Sequence, residues 1–69
     1  MRLSARNVIK GKVKSIIPGA VNSEVVISAA GGTDIVAIIT KSSAESLGLA
    51  VGKEAYAVIK ASSVIVAVD

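Results

Sequence analysis

The chain of 69 residues has no cysteine, histidine, tryptophan or phenylalanine, and Tyr56 is its one aromatic residue. Without cysteine there is no disulfide, and without cysteine or histidine a structural zinc site lacks its ligands, so no metal is expected as a bare cation. Covalent catalysis needs an activated nucleophile, and general acid–base work rests on histidine or on closely placed carboxylates. The five carboxylates, Glu24, Asp34, Glu45, Glu54 and Asp69, show no repeated spacing that would bring two together. The chain therefore reads as a binding protein and not as an enzyme, with no organic cofactor expected. Long apolar runs are also missing: none approaches the roughly 18 residues of a membrane helix. The amino-terminal stretch Met1–Arg6 has basic residues but no apolar core of a secretory leader, which points to a cytoplasmic protein.

What is present is small and unusually apolar. A chain of this length forms one domain, 1–69, and such a domain buries only roughly 60% of its unfolded surface, so that disulfides, metals or association usually supplement its core. With the first two excluded, association remains. Hydrophobic residues make up 52% of the chain and the mean hydropathy is +0.71, so the excess of Val, Ile and Ala is expected to form subunit interface. The net charge of +3 favours acidic partners, with the cations spread along the chain rather than massed in a tail.

From Asn7 to Ile17 the pattern alternates, with Val8, Lys10, Lys12 and Lys14 on one side and Ile9, Gly11, Val13, Ser15 and Ile17 on the other. This is a strand with one wet face. Pro18-Gly19 is a turn signal before a β-branched run from Asn22 to Ala30, and Gly31-Gly32 closes a hairpin into a third run, Thr33 to Thr40. Ser42-Ser43-Ala44-Glu45 fits a capping box with Ser42 as N-cap, and Leu47-Gly48-Leu49 ends the short helix on a glycine. Alternation returns from Glu54 to Lys60, and Ser63 to Val68 supplies a fifth strand after a tight Ala61-Ser62 connection. The expected fold is all-β, an OB-like five-stranded barrel with one short helix between strands 3 and 4. A β-sandwich or SH3-like barrel is the alternative for so short an all-β chain.

Two segments gather hydrogen-bond donors and a cation with no carboxylate, which is what an ionised oxyanion requires: Ser4-Ala5-Arg6-Asn7 and Lys60-Ala61-Ser62-Ser63. Taken singly, each is explained by a polar turn or a strand end. Together they gain weight, because in a closed five-stranded barrel the start of the first strand lies near the turn between the last two. The stripe Lys10, Lys12 and Lys14 allows another function, a nucleic-acid-binding OB domain. Such domains interleave aromatic stacking platforms, and Tyr56 alone is available, so a solvated strand face is the plainer reading. A third reading is an oligomerisation module without a ligand.

At these residues the chain resembles the small molybdate-binding proteins called molbindins, or Mop proteins. The matching segments are Ser4-Ala5-Arg6-Asn7 with Lys10-Gly11-Lys12-Val13, Ala29-Ala30-Gly31-Gly32, Ser46-Leu47-Gly48-Leu49 with Gly52-Lys53-Glu54, and Ala57-Val58-Ile59-Lys60-Ala61-Ser62-Ser63-Val64. Their order and spacing span essentially the whole chain. The resemblance implies an OB-like fold whose subunits pair by exchanging strand contacts and gather as a homohexamer, a trimer of dimers. It also implies molybdate or tungstate held between subunits, and a free-standing storage form, since 69 residues leave no room for a DNA-binding or ATPase domain. Carried over by motif, one subunit offers Ser4, Ala5, Arg6, Lys60 and Ala61, with Asn7 and Ser62 in support, and its partner offers Thr40 and Ser43. Sulfate and molybdate are both tetrahedral dianions, so cavity size and donor spacing, rather than charge, must separate them.

Overall fold

The computed structural model describes residues 2–69; Met1, where the stretch read against a leader begins, lies outside them. Strands β1 (Asn7–Pro18), β2 (Asn22–Ala29) and β3 (Asp34–Thr40) are followed by helix α1 (Lys41–Ser46) and strand β4 (Glu54–Ile59). They form one antiparallel sheet in the order β3-β2-β1-β4, with Val13 opposite Ile27 and Gly11 opposite Ala55. The all-β reading and the position of the helix hold. The strand count does not: among the described residues there are four strands, and the sheet curls into a half-barrel. The expected fifth strand, Ser63 to Val68, begins in a 3₁₀ turn at Ala61–Ser63 and continues without a strand partner. Its side chains stand in solvent, Ile65 at 93% and Val68 at 92% exposure. A strand needs a ladder partner, and nothing among the described residues provides one for this segment.

The curl comes from β1. Its alternation runs as expected up to Val13, then a bulge at Lys14 leaves that residue unpaired and resets the register, so that Ser15 faces Val26 and Ile16 faces Val25. Such an extra residue bends the strand and increases its twist. The consequence is a correction: Ile16, not Ile17, packs against the core, and Ile17 is 57% exposed. Gly11 allows β1 and β2 to approach closely, since a Cβ there would sit 2.5 Å from the Ser28 carbonyl oxygen and 2.8 Å from Ile27 Cγ2.

Among the described residues the buried apolar core consists of Val13, Val25, Ile27 and Ala57, with Ile16, Ile35, Ile39, Leu49 and Ala55 packed around them. The segment after the helix is tied to β1 by two backbone bonds, Val13 N–H to the Lys53 carbonyl (2.9 Å) and Gly52 N–H to the Val13 carbonyl (2.8 Å). The helix ends as expected. Gly48 takes a φ of +62°, and its N–H and that of Leu49 bond back to Glu45 and Ala44, the Schellman arrangement that satisfies the last carbonyls.

The helix start differs from the capping box read at Ser42: the N-cap is Thr40. The chain stays in the sheet through Thr40, which pairs with Asn22, and the Val21 carbonyl takes the Lys41 N–H at 2.8 Å, so the helix turns two residues earlier. Thr40 Oγ1 then accepts the Ser43 N–H at 3.1 Å.

Two outcomes test this account. Gly11→Ala is expected to cost about 1–3 kcal/mol through forced separation of β1 and β2, measured by urea unfolding at fixed chain concentration. Thr40→Ala is expected to cost about 1 kcal/mol, whereas Ser42→Ala stays within about 0.5 kcal/mol of the parent; the reverse order in thermal unfolding would restore Ser42 as the cap.

Candidate functional site

The antiparallel pairing of β1 with β4 sets the geometry of the first donor cluster. Asn7 opens β1 opposite Ile59, the last residue of β4, and its Nδ2 donates to the Ile59 carbonyl at 3.2 Å. Arg6 and Lys60 are the next residues outward on the two strands, so Ser4-Ala5-Arg6 and Lys60-Ala61-Ser62 leave the sheet from adjoining positions. Ser4, Arg6, Lys60, Ala61 and Ser62 are exposed, while Ala5 and Asn7 are half-buried. In the turn Ala61–Ser63 the Lys60 carbonyl accepts the Ser63 N–H at 2.9 Å. The Ala61 and Ser62 N–H groups have no acceptor inside the turn, as is general for the first donors of a helical turn.

The cations of this cluster are in no ion pair among the described residues. Among the described residues the ion pairs are Lys10 with Glu54 (3.3 Å) and Lys14 with Asp34 (2.7 Å), and neither involves Arg6 or Lys60. The lysine stripe is therefore chemically different from the donor cluster. Two of its three ammonium groups already face carboxylates, Lys10 that of Glu54 on the adjacent β4 and Lys14 that of Asp34 at the start of β3, and among the described residues Lys12 lacks such a partner.

Thr40 and Ser43 lie elsewhere. Thr40 closes β3 opposite Asn22, near the Pro18 end of β1, so almost the whole length of β1 separates this pair from Asn7. One chain does not bring the two groups together, and a ligand touching both must bridge two copies. The Thr40 hydroxyl donates to Ser43 Oγ at 2.7 Å, which leaves the Ser43 hydroxyl proton free to donate outward. Ser42, read as a cap, joins this group instead, its Oγ 3.4 Å from Thr40 Oγ1. It is a hydroxyl that sequence pattern assigned to a different task.

A second feature had no sequence signal of its own. The concave side of the half-barrel is an open apolar groove of about 750 Å³, lined by Ile35 and Ile39 of β3, Leu47 and Leu49 after the helix, and Ala55 and Ile59 of β4. No helix among the described residues is long and apolar enough to cross a membrane.

A curled antiparallel sheet with one capped helix before its last strand is an OB-like binding domain, and comparison with known proteins agrees. The TOBE domain model matches residues 3–66. The chain belongs to the TOBE domain family and, within it, to the small Mop (molbindin) proteins. It is 49% identical over 69 residues to a protein of Haemophilus influenzae described as a probable molybdenum-pterin-binding protein, covering 100% of both chains. In structure it matches MopII from Clostridium pasteurianum with a TM-score of 0.92 and 43% identity, covering 97% of this chain and 100% of MopII. It also matches the cytoplasmic molybdate-binding protein ModG, solved with molybdate bound, with a TM-score of 0.91 and 54% identity, over 94% of this chain and 46% of the ModG chain. The role these relatives share is binding rather than catalysis.

Proposed function

We propose that this protein binds molybdate, with tungstate as an equivalent ligand, at the interfaces of a homo-oligomer, and that it serves as a cytoplasmic store for the oxyanion. The observation that carries the reading is the Asn7–Ile59 pair, from which Ser4-Ala5-Arg6 and Lys60-Ala61-Ser62 leave the sheet at adjoining positions, with neither Arg6 nor Lys60 in an ion pair among the described residues. Backbone and hydroxyl donors beside an arginine and a lysine suit a tetrahedral dianion, because directional N–H groups sense size as well as charge. The names of the relatives support molybdenum as the element bound.

The form of the ligand follows from the donor set. One relative is named for a molybdenum-pterin and another was solved with molybdate. A pterin ring asks for an aromatic or apolar stacking surface next to the donors, and the one aromatic residue, Tyr56, is in mid-β4, three residues from Ile59. The cluster itself offers small polar side chains and cations, which favours the bare oxyanion. Thr40 and Ser43 of a second copy complete the site in this reading, and assembly as a trimer of dimers provides the interfaces. The domain 1–69 acts as one unit without an organic cofactor.

Calorimetric titration with molybdate, repeated with sulfate as competitor, tests the proposal. Arg6→Ala and Lys60→Ala are each expected to weaken binding about tenfold or more, the loss of one charge-assisted contact, with the β-sheet circular dichroism unchanged. Lys12→Ala, on the lysine face, is expected to leave the affinity unaltered. Undiminished binding in both cluster variants rejects the site. Salt-sensitive retention of single-stranded nucleic acid that Lys12→Ala abolishes would favour the lysine face instead.

A further inference from the structure

We propose that Asn7 is the positioning residue of the donor cluster. Its side-chain amide holds the arms Ser4-Ala5-Arg6 and Lys60-Ala61-Ser62 at a fixed spacing, and that spacing selects the larger molybdate over sulfate. This rests on the reading of the cluster as an oxyanion site and adds to it the residue that sets the size of the ion accepted.

Asn7 is the first residue of β1 and stands opposite Ile59, the last residue of β4. Its Nδ2 donates to the Ile59 carbonyl at 3.2 Å in half-buried surroundings, joining residues 52 positions apart. The other side-chain hydrogen bonds among the described residues are exposed, and they lie at Lys14, at the start of the helix and at Lys53 beyond its end. Among the described residues, Asn7 is therefore the one side chain that braces this end of the sheet by a hydrogen bond. A bond withdrawn from water holds its geometry more firmly than an exposed one, because breaking it leaves its partners with poorer access to solvent.

The brace reaches the donors through the backbone. The Ile59 carbonyl and the Lys60 N–H belong to one planar trans peptide, so holding the carbonyl fixes the direction of the N–H and the point from which Lys60 departs. On the far side of Lys60, its own carbonyl accepts the Ser63 N–H at 2.9 Å. Lys60 is thus held before and after its Cα, and with it the turn Ala61–Ser63. On β1, Asn7 follows Arg6 directly, so the same side chain ties the departure points of both arms to one another.

Asn7 is better suited to this task than to touching the ion. One of its N–H bonds is engaged with Ile59, and its Oδ1 is an acceptor, the wrong polarity for an oxyanion. Sulfate and molybdate share charge and shape and differ in size. A gap of fixed width offers all its donors to the ion that fills it, whereas arms free to close would serve the smaller sulfate as well. Preorganisation of this kind raises affinity for the matching ion by removing the cost of ordering the arms.

Two measurements on the full chain test the proposal, with Asn7→Leu, similar in shape but without the donor, and Asn7→Ala, which adds no apolar bulk. In calorimetric titration with molybdate and with sulfate, the ratio of the two affinities is expected to fall roughly two- to tenfold, the range one hydrogen bond carries. Equal weakening of both ions would make Asn7 a direct ligand, and an unmoved ratio would make its bond a strand-end contact alone; each overturns the proposal. The second measurement uses no ion. The ¹⁵N order parameters of the Lys60 and Ala61 amides are expected to fall to the flexible range, below about 0.6, while β2 and β3 stay near about 0.85; values equal to the parent's overturn the brace. The two readings fail separately. A parent that takes up neither ion, with order parameters that fall in the variants, rejects the proposed ligand and leaves the brace standing. A parent that takes up molybdate, with a ratio the variants do not move, rejects the positioning role and leaves the ligand standing.

Discussion

The double pairing of β1 is the constraint on which everything else in this protein depends. That strand carries the ladder to β2 along one side and the ladder to β4 along the other, and it has to bend between them to turn a flat sheet into a trough. Two local devices make the bend: Gly11, whose missing Cβ lets β2 come close, and the bulge at Lys14, which adds twist and brings Ile16 round to the core. The same pairing places the start of β1 against the end of β4, so the curvature of the sheet and the pairing of Asn7 with Ile59 have a single cause.

The trough stays open because four strands are too few to close it, and the energetics of the chain reflect this. Four aliphatic side chains are buried, while large aliphatic groups on both faces and in the tail meet water. Burial of apolar surface is worth roughly 25 cal/mol per Å², so a chain that leaves this much uncovered keeps a large driving force in reserve for association. The ion pairs Lys10–Glu54 and Lys14–Asp34 add little to stability, since exposed pairs contribute about 0–1 kcal/mol. They also occupy Lys10 and Lys14 of the lysine face, whereas Arg6 and Lys60 are in no ion pair among the described residues.

Function and incompleteness are linked here. The donors fall into two groups at opposite ends of β1, one built on a strand-end pair and one on a helix cap, and neither group encloses a ligand by itself. Under the proposed function, an anion held by such halves is bound by more than one copy of the chain, and binding and association then stabilise one another, as any ligand that prefers the assembled state must do. The capping role of Thr40 fits this economy: one hydroxyl fixes the helix start and orients Ser43.

Much of the fold was legible from local pattern. Alternation set the four strands, Pro18-Gly19 and Gly31-Gly32 marked the turns, and Gly48 ended the helix, because each of these depends on neighbours close in sequence. The donor clusters were legible as composition, a cation with hydroxyls and no acid. The deviations arose where a distant partner decides the outcome. A bulge at Lys14 depends on how β2 curls past β1, so alternation alone carried Ile17 inward where Ile16 belongs. The helix cap moved to Thr40 because the Val21 carbonyl holds Lys41, a bond between segments twenty residues apart. The Val64–Val68 run has the residues of a strand, yet a strand exists only when a ladder partner is present. Sequence by itself determined the residues that want to be buried, turned or charged; tertiary structure decided which of them find a partner within the chain, because pairing is a property of two segments and not of one.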